Sequence, residues 1–482
     1  MLERVLLSVL LAGLIWCGGN GKAAEPLSKA EARAALRRAV EFFRTQVSTS
    51  GGYLWCYSED LSRREGEGKA SPTTVWVQPP GTPTVGGAYL TAHELTRDEV
   101  YLQAARETAL ALVRGQLRSG GWDYRIDFDP QKRSGYAYRT EAANEKGRNI
   151  STLDDDTTQA ALRFLMRVDR VLQFQDAKIH EAAQYALDAL LKVQYPNGAW
   201  PQRFSAPPDP ARYPVLKASY PESWSRTFPG KSYSDYYTFN DNTLADTITT
   251  LLEAAEIYQD ARYRTAAEKA GEFILLAQMP DPQPAWAQQY DARMQPAWAR
   301  KFEPPSITGG ETQGVLQILM RLYRETGQRE YLEPIPRALD YIQQSELPGR
   351  RLARFYELQT NRPLYFTKQY ELTYDDGDLP THYSFQSHSW VDAVRAQYQR
   401  LAAAPPELRK PRPLKHAVRA PRLTASLAAE AQAIVAALDE RGAWVEAGRL
   451  RYHGEDDPTR RIVSSSTFAQ RLQKLAQFVA AE

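Results

Sequence analysis

The chain has 482 residues, and its 60 lysines and arginines nearly balance its 58 aspartates and glutamates. This balance argues against a general nucleic-acid-binding or membrane-binding protein, so we expect neither partner for the mature chain, which we predict to be a monomer. The length is sufficient to bury a large core, and it allows either several domains or one large helical domain. The 10 tryptophans and 27 tyrosines are compatible with sugar stacking, and an aromatic-rich core explains them equally well.

The first residues have the pattern of an export signal. The apolar run 5–16 follows a charged start and is too short to span a bilayer. Cleavage after Ala23 would place Gly21 and Ala23 at the positions where the peptidase requires small side chains. We therefore predict that residues 1–23 are a signal peptide and that the mature protein is secreted or periplasmic. Lipid attachment at Cys17 is the alternative, but the residues before it lack the small side chain of a lipoprotein box.

Removal of this segment leaves Cys56 as the only cysteine. No disulfide can then form within the chain, although exported proteins often carry them. The mature protein must therefore be held together by its hydrophobic core.

A unit recurs along the chain, in which an amphipathic helix ends in glutamine and is followed by glycine and an aromatic residue. Gln46, Gln116 and Gln194 precede Gly-Gly-Tyr, Gly-Gly-Trp and Gly-Ala-Trp, whereas Gln278 and Gln343 end similar helices without the glycine–tryptophan pair. The spacings of 70, 78, 84 and 65 residues leave room for two helices and a long loop each time. Repeats of this kind indicate a stacked or closed array of helical hairpins.

Apolar residues at three- and four-residue spacing predict helices over 157–171, 176–193, 242–258, 263–278, 312–326 and 331–343. Strand-like alternation is confined to patches such as 364–372. We predict an all-α protein, an α/α toroid that forms an incomplete or closed ring of helical hairpins over residues 24–402, with long loops and little strand. The segment 403–423, rich in Ala, Pro, Lys and Arg, is typical of a linker. Residues 424–482 are predicted to form a C-terminal helical hairpin packed on the toroid.

Familiar catalytic motifs, including the P-loop, the dinucleotide fingerprint, zinc-type clusters and the Gly-x-Ser-x-Gly elbow, are missing from the sequence. The candidate chemistry lies where loops enter helices. The adjacent carboxylates at 154–156 repel one another unless positive charge lies among them. Capping of the helix explains one or two of them, whereas a hard cation such as calcium explains all three. Asp241 enters the next such helix, either as an N-cap or as a further ligand.

Basic residues cluster on two later loops. Arg300 and Lys301 stand side by side before a predicted helix and are able to bind an anion, although two exposed cations are more often only a solvated surface. The stretch 353–363 is polar, aromatic and basic, and it lies outside the predicted helices.

Five strings between about residues 150 and 370 resemble polysaccharide lyase family 10, the pectate lyases with an α/α-toroid fold. In chain order they are STLDDDTTQAALRFLMRV, QYPNGAWPQRF, FNDN, PAWARKFEPPSITGGET and ARFYELQTNRPLYF. The resemblance implies calcium-assisted β-elimination of a polygalacturonate-type uronan with an arginine base. The substrate would be an acidic polysaccharide or oligogalacturonide.

The resemblance also implies a metal site. Asp154 falls where the family has a calcium-binding aspartate, and Asp241 matches a second one. We add Asp155 to the predicted calcium ligands. The family usually has Ile-Asp-Asn-Gly where this chain has Leu-Asp-Asp-Asp at 153–156, and a more serine-rich turn where it has Thr-Gly-Gly-Glu at 308–311.

Two arginines match the family's arginines that act on the substrate. Arg300 matches the arginine base, and Arg362 matches an arginine that holds the substrate carboxylate. Trp200, Lys301 and Arg354 lie in the same strings, and we expect them to bind the substrate as well.

Two other functions stay open at the level of the sequence. A toroid glycoside hydrolase acting on uronic sugars needs two carboxylates about 5–10 Å apart, and Asp154 with Asp241 would supply them. A non-catalytic glycan-binding relative would keep the cleft without turnover.

Overall fold

The computed structural model describes residues 26–404 and 419–482. The predicted signal peptide, 1–23, and most of the predicted linker lie outside these ranges. Within them, no helix combines the length and the apolar character needed to cross a membrane.

Helices of ten or more residues dominate the described part of the chain. They are α1 (Lys29–Phe42), α2 (Thr82–Thr96), α3 (Glu99–Gly115), α4 (Thr157–Val171), α5 (Ala177–Val193), α6 (Thr243–Tyr258), α7 (Ala261–Ala277), α8 (Gly309–Thr326), α9 (Ile335–Gln344), α10 (Val391–Ala402), α11 (Ala425–Ala436) and α12 (Ser465–Ala480). All six helices predicted from apolar spacing are present, with ends shifted by a few residues.

The helices form an α/α toroid, which confirms the predicted fold class. The even-numbered helices pack against one another in the order α12, α2, α4, α6, α8 and α10, and the odd-numbered helices pack outside them. The C-terminal helices α11 and α12 contact α1, and α12 also contacts α2. The two ends of the chain therefore meet within one ring.

The glutamine repeat ties neighbouring hairpins together. The Gln116 side-chain amide donates to the carbonyl of Gly120 at 2.9 Å and to that of Ala182 on α5 at 2.8 Å. Gln194 and Gln278 each repeat this pair of bonds one hairpin further on. Each glutamine thus satisfies carbonyl groups in its own loop and within or at the start of the next outer helix, which explains why a glutamine recurs at this position.

The glycine and the tryptophan of the repeat also help neighbouring hairpins to pack against one another. Gly198 has a φ of 97°, and a Cβ there would lie 2.1 Å from the carbonyl oxygen of Lys269 on α7. Buried tryptophans donate their indole N–H to a carbonyl of the preceding outer helix; these are Trp122, Trp200, Trp286 and Trp444. Trp286 takes this place after Gln278, although its loop lacks the glycine of the other repeats.

Short strands occupy the loops between the helices. They are β1 (Cys56–Ser58), β2 (Arg64–Gly66), β3 (Gly68–Lys69), β4 (Thr74–Trp76), β5 (Arg125–Asp127), β6 (Ser151–Thr152), β7 (Arg203–Phe204), β8 (Tyr237–Thr238), β9 (Gln289–Tyr290), β10 (Ser306–Thr308), β11 (Arg351–Ala353), β12 (Phe355–Glu357), β13 (Pro363–Phe366), β14 (Leu372–Thr373), β15 (Gln386–His388), β16 (Val445–Ala447) and β17 (Arg461–Ser464).

The strands pair antiparallel at the end of the ring where the inner helices begin. The largest sheet has the order β16-β17-β1-β2-β3, a second has β10-β12-β13-β14, and the pairs β4-β5, β6-β7, β8-β9 and β11-β15 complete the pattern. Strands β6, β8 and β10 lead directly into α4, α6 and α8. The loops at this end therefore hold the candidate residues.

Candidate active site

Two helix entries share one backbone shape. In the turn 154–156 before α4, the second and third residues have φ of 50° and 58°, and in the turn 240–242 before α6 these values are 47° and 58°. Asp and Asn accept this left-handed conformation more readily than other residues with a side chain. The hydroxyls of Thr152 and Thr238 each accept the first N–H of the following turn at 3.1 Å. Asp155 and Asp241 therefore occupy equivalent positions on neighbouring inner helices.

Three carboxylates converge between these turns. Asp154, Asp155 and Asp241, here called the acidic cluster, each offer an oxygen, and these oxygens all lie within 4.8 Å of one another. Oδ2 of Asp154 accepts a hydrogen bond from the Tyr124 hydroxyl at 2.6 Å, whereas its Oδ1 is buried without a partner.

The arrangement fits a cation better than it fits helix capping. Neither α4 nor α6 has a side-chain cap. Burial, followed by the charges of Asp154 and Asp241, raises the pKa of Asp155 to about 7. Burial and the charge of Asp154 raise the pKa of Asp241 to about 6. Crowded carboxylates with a buried, unpaired oxygen are a donor set that suits a hard cation such as calcium.

The third aspartate of the sequence motif has a separate role. Asp156 forms an ion pair with Arg163 of α4, with Nη2–Oδ2 at 2.5 Å. Arg163 also donates to the Thr250 hydroxyl of α6 at 3.0 Å. Asp156 thus links two inner helices, and its charge is compensated within the protein.

Two arginines approach Asp241, each at a different oxygen of its carboxylate. Nη2 of Arg300 lies 3.8 Å from Oδ2, and Nη2 of Arg354 lies 3.7 Å from Oδ1. Arg300 also pairs at 2.6 Å with Glu303, which is 1% exposed, and Arg354 pairs at 3.1 Å with Glu311. Burial acts to lower the pKa of Arg300, but the hydrogen bond and charge of Glu303 outweigh it and raise that pKa above its ordinary value.

A basic cleft opens beside the acidic cluster. Its volume is about 510 Å³, and its lining includes Arg203, Lys231, Arg300 and Lys301 but no acidic residue. Arg203 lies 3.9 Å from Oδ2 of Asp154, so the cleft adjoins the cluster directly. The carboxylates of this site suit a metal ion, and the neighbouring basic side chains suit an anionic ligand. Together they suit a polyanion that contacts both the metal ion and the basic side chains.

Residues 116–351 match the family model described as pectic acid lyase. The chain carries a segment of the pectic acid lyase family. It is therefore a polysaccharide lyase, and all three members of the acidic cluster lie in the matched segment, as does Arg300.

Solved structures similar to this chain include a family 10 polysaccharide lyase from Cellvibrio cellulosa. That lyase is 23% identical, with 66% of this chain and 97% of the other covered and a TM-score of 0.46. A point mutant of it in complex with trigalacturonic acid is 22% identical, with 66% and 98% covered and a TM-score of 0.46. A glycoside hydrolase family 76 α-mannanase from Bacteroides thetaiotaomicron is 10% identical, with 94% and 96% covered and a TM-score of 0.41. No curated protein sequence matches the chain.

The remaining predicted substrate residues lie in different surroundings. Lys301 is exposed in the basic cleft, with Nζ 3.5 Å from the centre of the Tyr370 ring. Arg362 is exposed and lies over the Tyr374 ring at 3.4 Å, with no carboxylate within 4 Å in the described ranges. Trp200 is completely buried and belongs to the packing repeat. Because its indole offers no surface to a sugar, we remove Trp200 from the substrate-binding set.

Sequence reasoning missed the residues that hold the named ones in place. Tyr124 and Arg203 contact Asp154, and Glu303 and Glu311 hold the two arginines. Glu303 follows Arg300 by three residues, so the sequence itself indicated that the two side chains could pair. Tyr124 carried none, because its partner lies 30 residues away.

Proposed function

We propose that this lyase is a pectate lyase that cleaves polygalacturonate-type uronan by β-elimination, with Arg300 as the base and calcium held by Asp154, Asp155 and Asp241. The observation that carries the proposal is that two arginines reach Asp241 of the acidic cluster, at 3.8 and 3.7 Å. An elimination next to a uronate carboxylate needs both kinds of group at one place.

The reaction removes the C5 proton, the electron pair of that C–H bond forms the C4–C5 double bond, and O4 leaves with the electron pair of the broken C4–O4 bond and takes a proton from solvent water. When bound, calcium would supply positive charge to neutralise the substrate carboxylate and the enediolate that develops beside it. Arg300 in its neutral form would accept the C5 proton. Arg354, beside Asp241, and Lys301, in the basic cleft, would bind uronate carboxylates, and an arginine fork does so in a bidentate way.

The charge around Arg300 determines the pH at which it works as a base. Glu303 raises its pKa, and the pKa of an unperturbed arginine already lies far above neutral pH. The positive Arg354 on the other side of Asp241 and a cation at the cluster oppose this effect. We therefore expect activity to increase with pH into the alkaline range.

Arg362 is proposed to bind a carboxylate of the same substrate. Its guanidinium rests on an aromatic ring and lacks a carboxylate partner among the described side chains. An arginine placed in this way has hydrogen-bond donors available for a ligand.

The test is incubation with polygalacturonate, with and without a chelator, while the ultraviolet absorbance of the unsaturated product is followed. We expect absorbance that depends on calcium. New reducing ends without absorbance would instead indicate the glycoside hydrolase. Binding without either signal would indicate the non-catalytic relative.

A further inference from the structure

One tyrosine contacts both arginines and the carboxylate that holds Arg300. The ring centre of Tyr383 lies 5.5 Å from Cζ of Arg300 and 4.3 Å from Cζ of Arg354. Its hydroxyl donates a hydrogen bond to Oε1 of Glu303 at 2.8 Å. The same oxygen accepts from Nη2 of Arg300 at 2.6 Å. Tyr383 therefore touches both guanidinium groups and the carboxylate that holds one of them.

The loop that carries Tyr383 is fixed against the strand next to Arg354. Strand β15 pairs with β11 in a register that sets Gln386 opposite Ala353. The N–H of Arg354 then donates to the carbonyl of Phe385 at 2.8 Å. These backbone bonds hold Tyr383 and Arg354 close together, although Tyr383 lies outside the segment that matches the family model.

Aromatic packing fixes the ring itself. The Tyr383 ring centre lies 4.7 Å from that of Phe302 and 5.3 Å from that of Phe385. Phe302 belongs to the same loop as Arg300, so the ring is packed against both arginine-bearing segments. A tyrosine held in this way has little rotational freedom of its own.

The two arginines need such a support. Both carry positive charge next to the same carboxylate, and the Nε atoms of both are buried without a hydrogen-bond partner. Long arginine side chains lose considerable entropy when they are ordered, and like charges at close range push each other apart. The face of an aromatic ring attracts guanidinium groups, so one ring that contacts both arginines opposes both effects.

We propose that Tyr383 is the positioning residue of the proposed active site: its ring sets the separation of Arg300 and Arg354, and its hydroxyl fixes the Glu303 carboxylate that aligns Arg300. This inference rests on the proposed function and deepens it. A proton acceptor misplaced by about 1 Å can cost about 10²-fold in rate, which is the size of effect that the contacts of Tyr383 would prevent.

Three variants test the proposal on the full-length enzyme with polygalacturonate and saturating calcium. Tyr383→Leu removes ring and hydroxyl, and we expect kcat to fall about 10²-fold. Tyr383→Phe keeps the ring and removes only the bond to Glu303, so we expect a smaller fall of about tenfold. The matched control is Tyr365→Phe, which removes a buried hydroxyl bonded to Gln386 of β15 but touches neither arginine, and we expect wild-type kcat.

The calcium concentration for half-maximal rate separates positioning from a general loss of structure. It should stay within about twofold of wild type in both Tyr383 variants, because the acidic cluster is untouched. If Tyr383→Phe and the control have the same kcat, the proposal is overturned, and this comparison holds even if Tyr383→Leu does not fold. A wild-type enzyme that makes no unsaturated product would refute the proposed function instead.

Discussion

Replacing Asp241 with asparagine removes one charge from the acidic cluster while keeping the size of the side chain and an oxygen that can bind a cation. The three carboxylate oxygens lie within 4.8 Å of one another, so a cation among them lies no farther than about this distance from Asp241. At 4.8 Å a divalent ion attracts one unit charge by about 1.7 kcal/mol even at the dielectric constant of water. This corresponds to a loss of about 20-fold in calcium affinity, and partial burial makes the true loss larger.

Calcium titration of the initial rate and isothermal titration calorimetry both measure this effect. The matched control is Asp156→Asn, because Asp156 belongs to the neighbouring turn but is paired with Arg163. We expect the control to keep the wild-type calcium requirement and to lose stability by about 1–3 kcal/mol, since Arg163 is left with an unpaired charge. If Asp241→Asn needs no more calcium than wild type and only melts earlier, the metal site is not at the acidic cluster.

The arginines, Asp155 and the predicted signal peptide give three further predictions. Arg300→Ala should lower kcat by about 10²–10⁴-fold with little change in oligogalacturonide affinity, whereas Arg362→Ala should weaken binding; steady-state kinetics with a binding assay would contradict these roles if the two variants behaved alike. Because the pKa of Asp155 is raised from 3.8 to about 7, the metal-free fold binds protons more tightly than the unfolded chain and loses stability as the pH rises from about 4 to 7. Calcium should therefore raise the melting temperature more at pH 8 than at pH 5, and an equal rise would refute this linkage. Mass spectrometry of protein from the native host should find a mature chain that begins near Ala24; an intact Met1 or a lipid on Cys17 would contradict the predicted signal peptide.

The ring could be predicted because its determinants repeat along the chain. Apolar residues at helical spacing mark the inner and outer helices, and the glutamines that end successive outer helices bond to the next hairpin 66, 72 and 56 residues later. The same repeat misled the interpretation of Trp200. A tryptophan after glycine fits either a sugar platform or a packing anchor, and only its burial decides between them.

The acidic turns were also visible in the sequence, because Asp154 and Asp241 each stand directly before a predicted helix. The partners that complete the site were not. The pairing of β11 with β15 brings Tyr383 to Arg354, and Tyr383 also contacts Arg300 on another loop; no local pattern encodes contacts between residues so far apart. The role of Asp156 required Arg163, which lies seven residues later, on α4. Side-chain geometry was needed to see that this pair excludes Asp156 from the cluster.

We propose that the chain breaks its substrate by elimination. The most direct measurement is mass spectrometry of the oligosaccharides released from polygalacturonate in water enriched in oxygen-18. We predict that the first products released are lighter by one water than saturated oligogalacturonides and contain no oxygen-18, and that no products form when calcium is chelated. Saturated products that already carry one oxygen-18 atom when they are first released, before their reducing ends exchange with the solvent, would contradict this prediction, because they would mean that water is added across the cleaved bond.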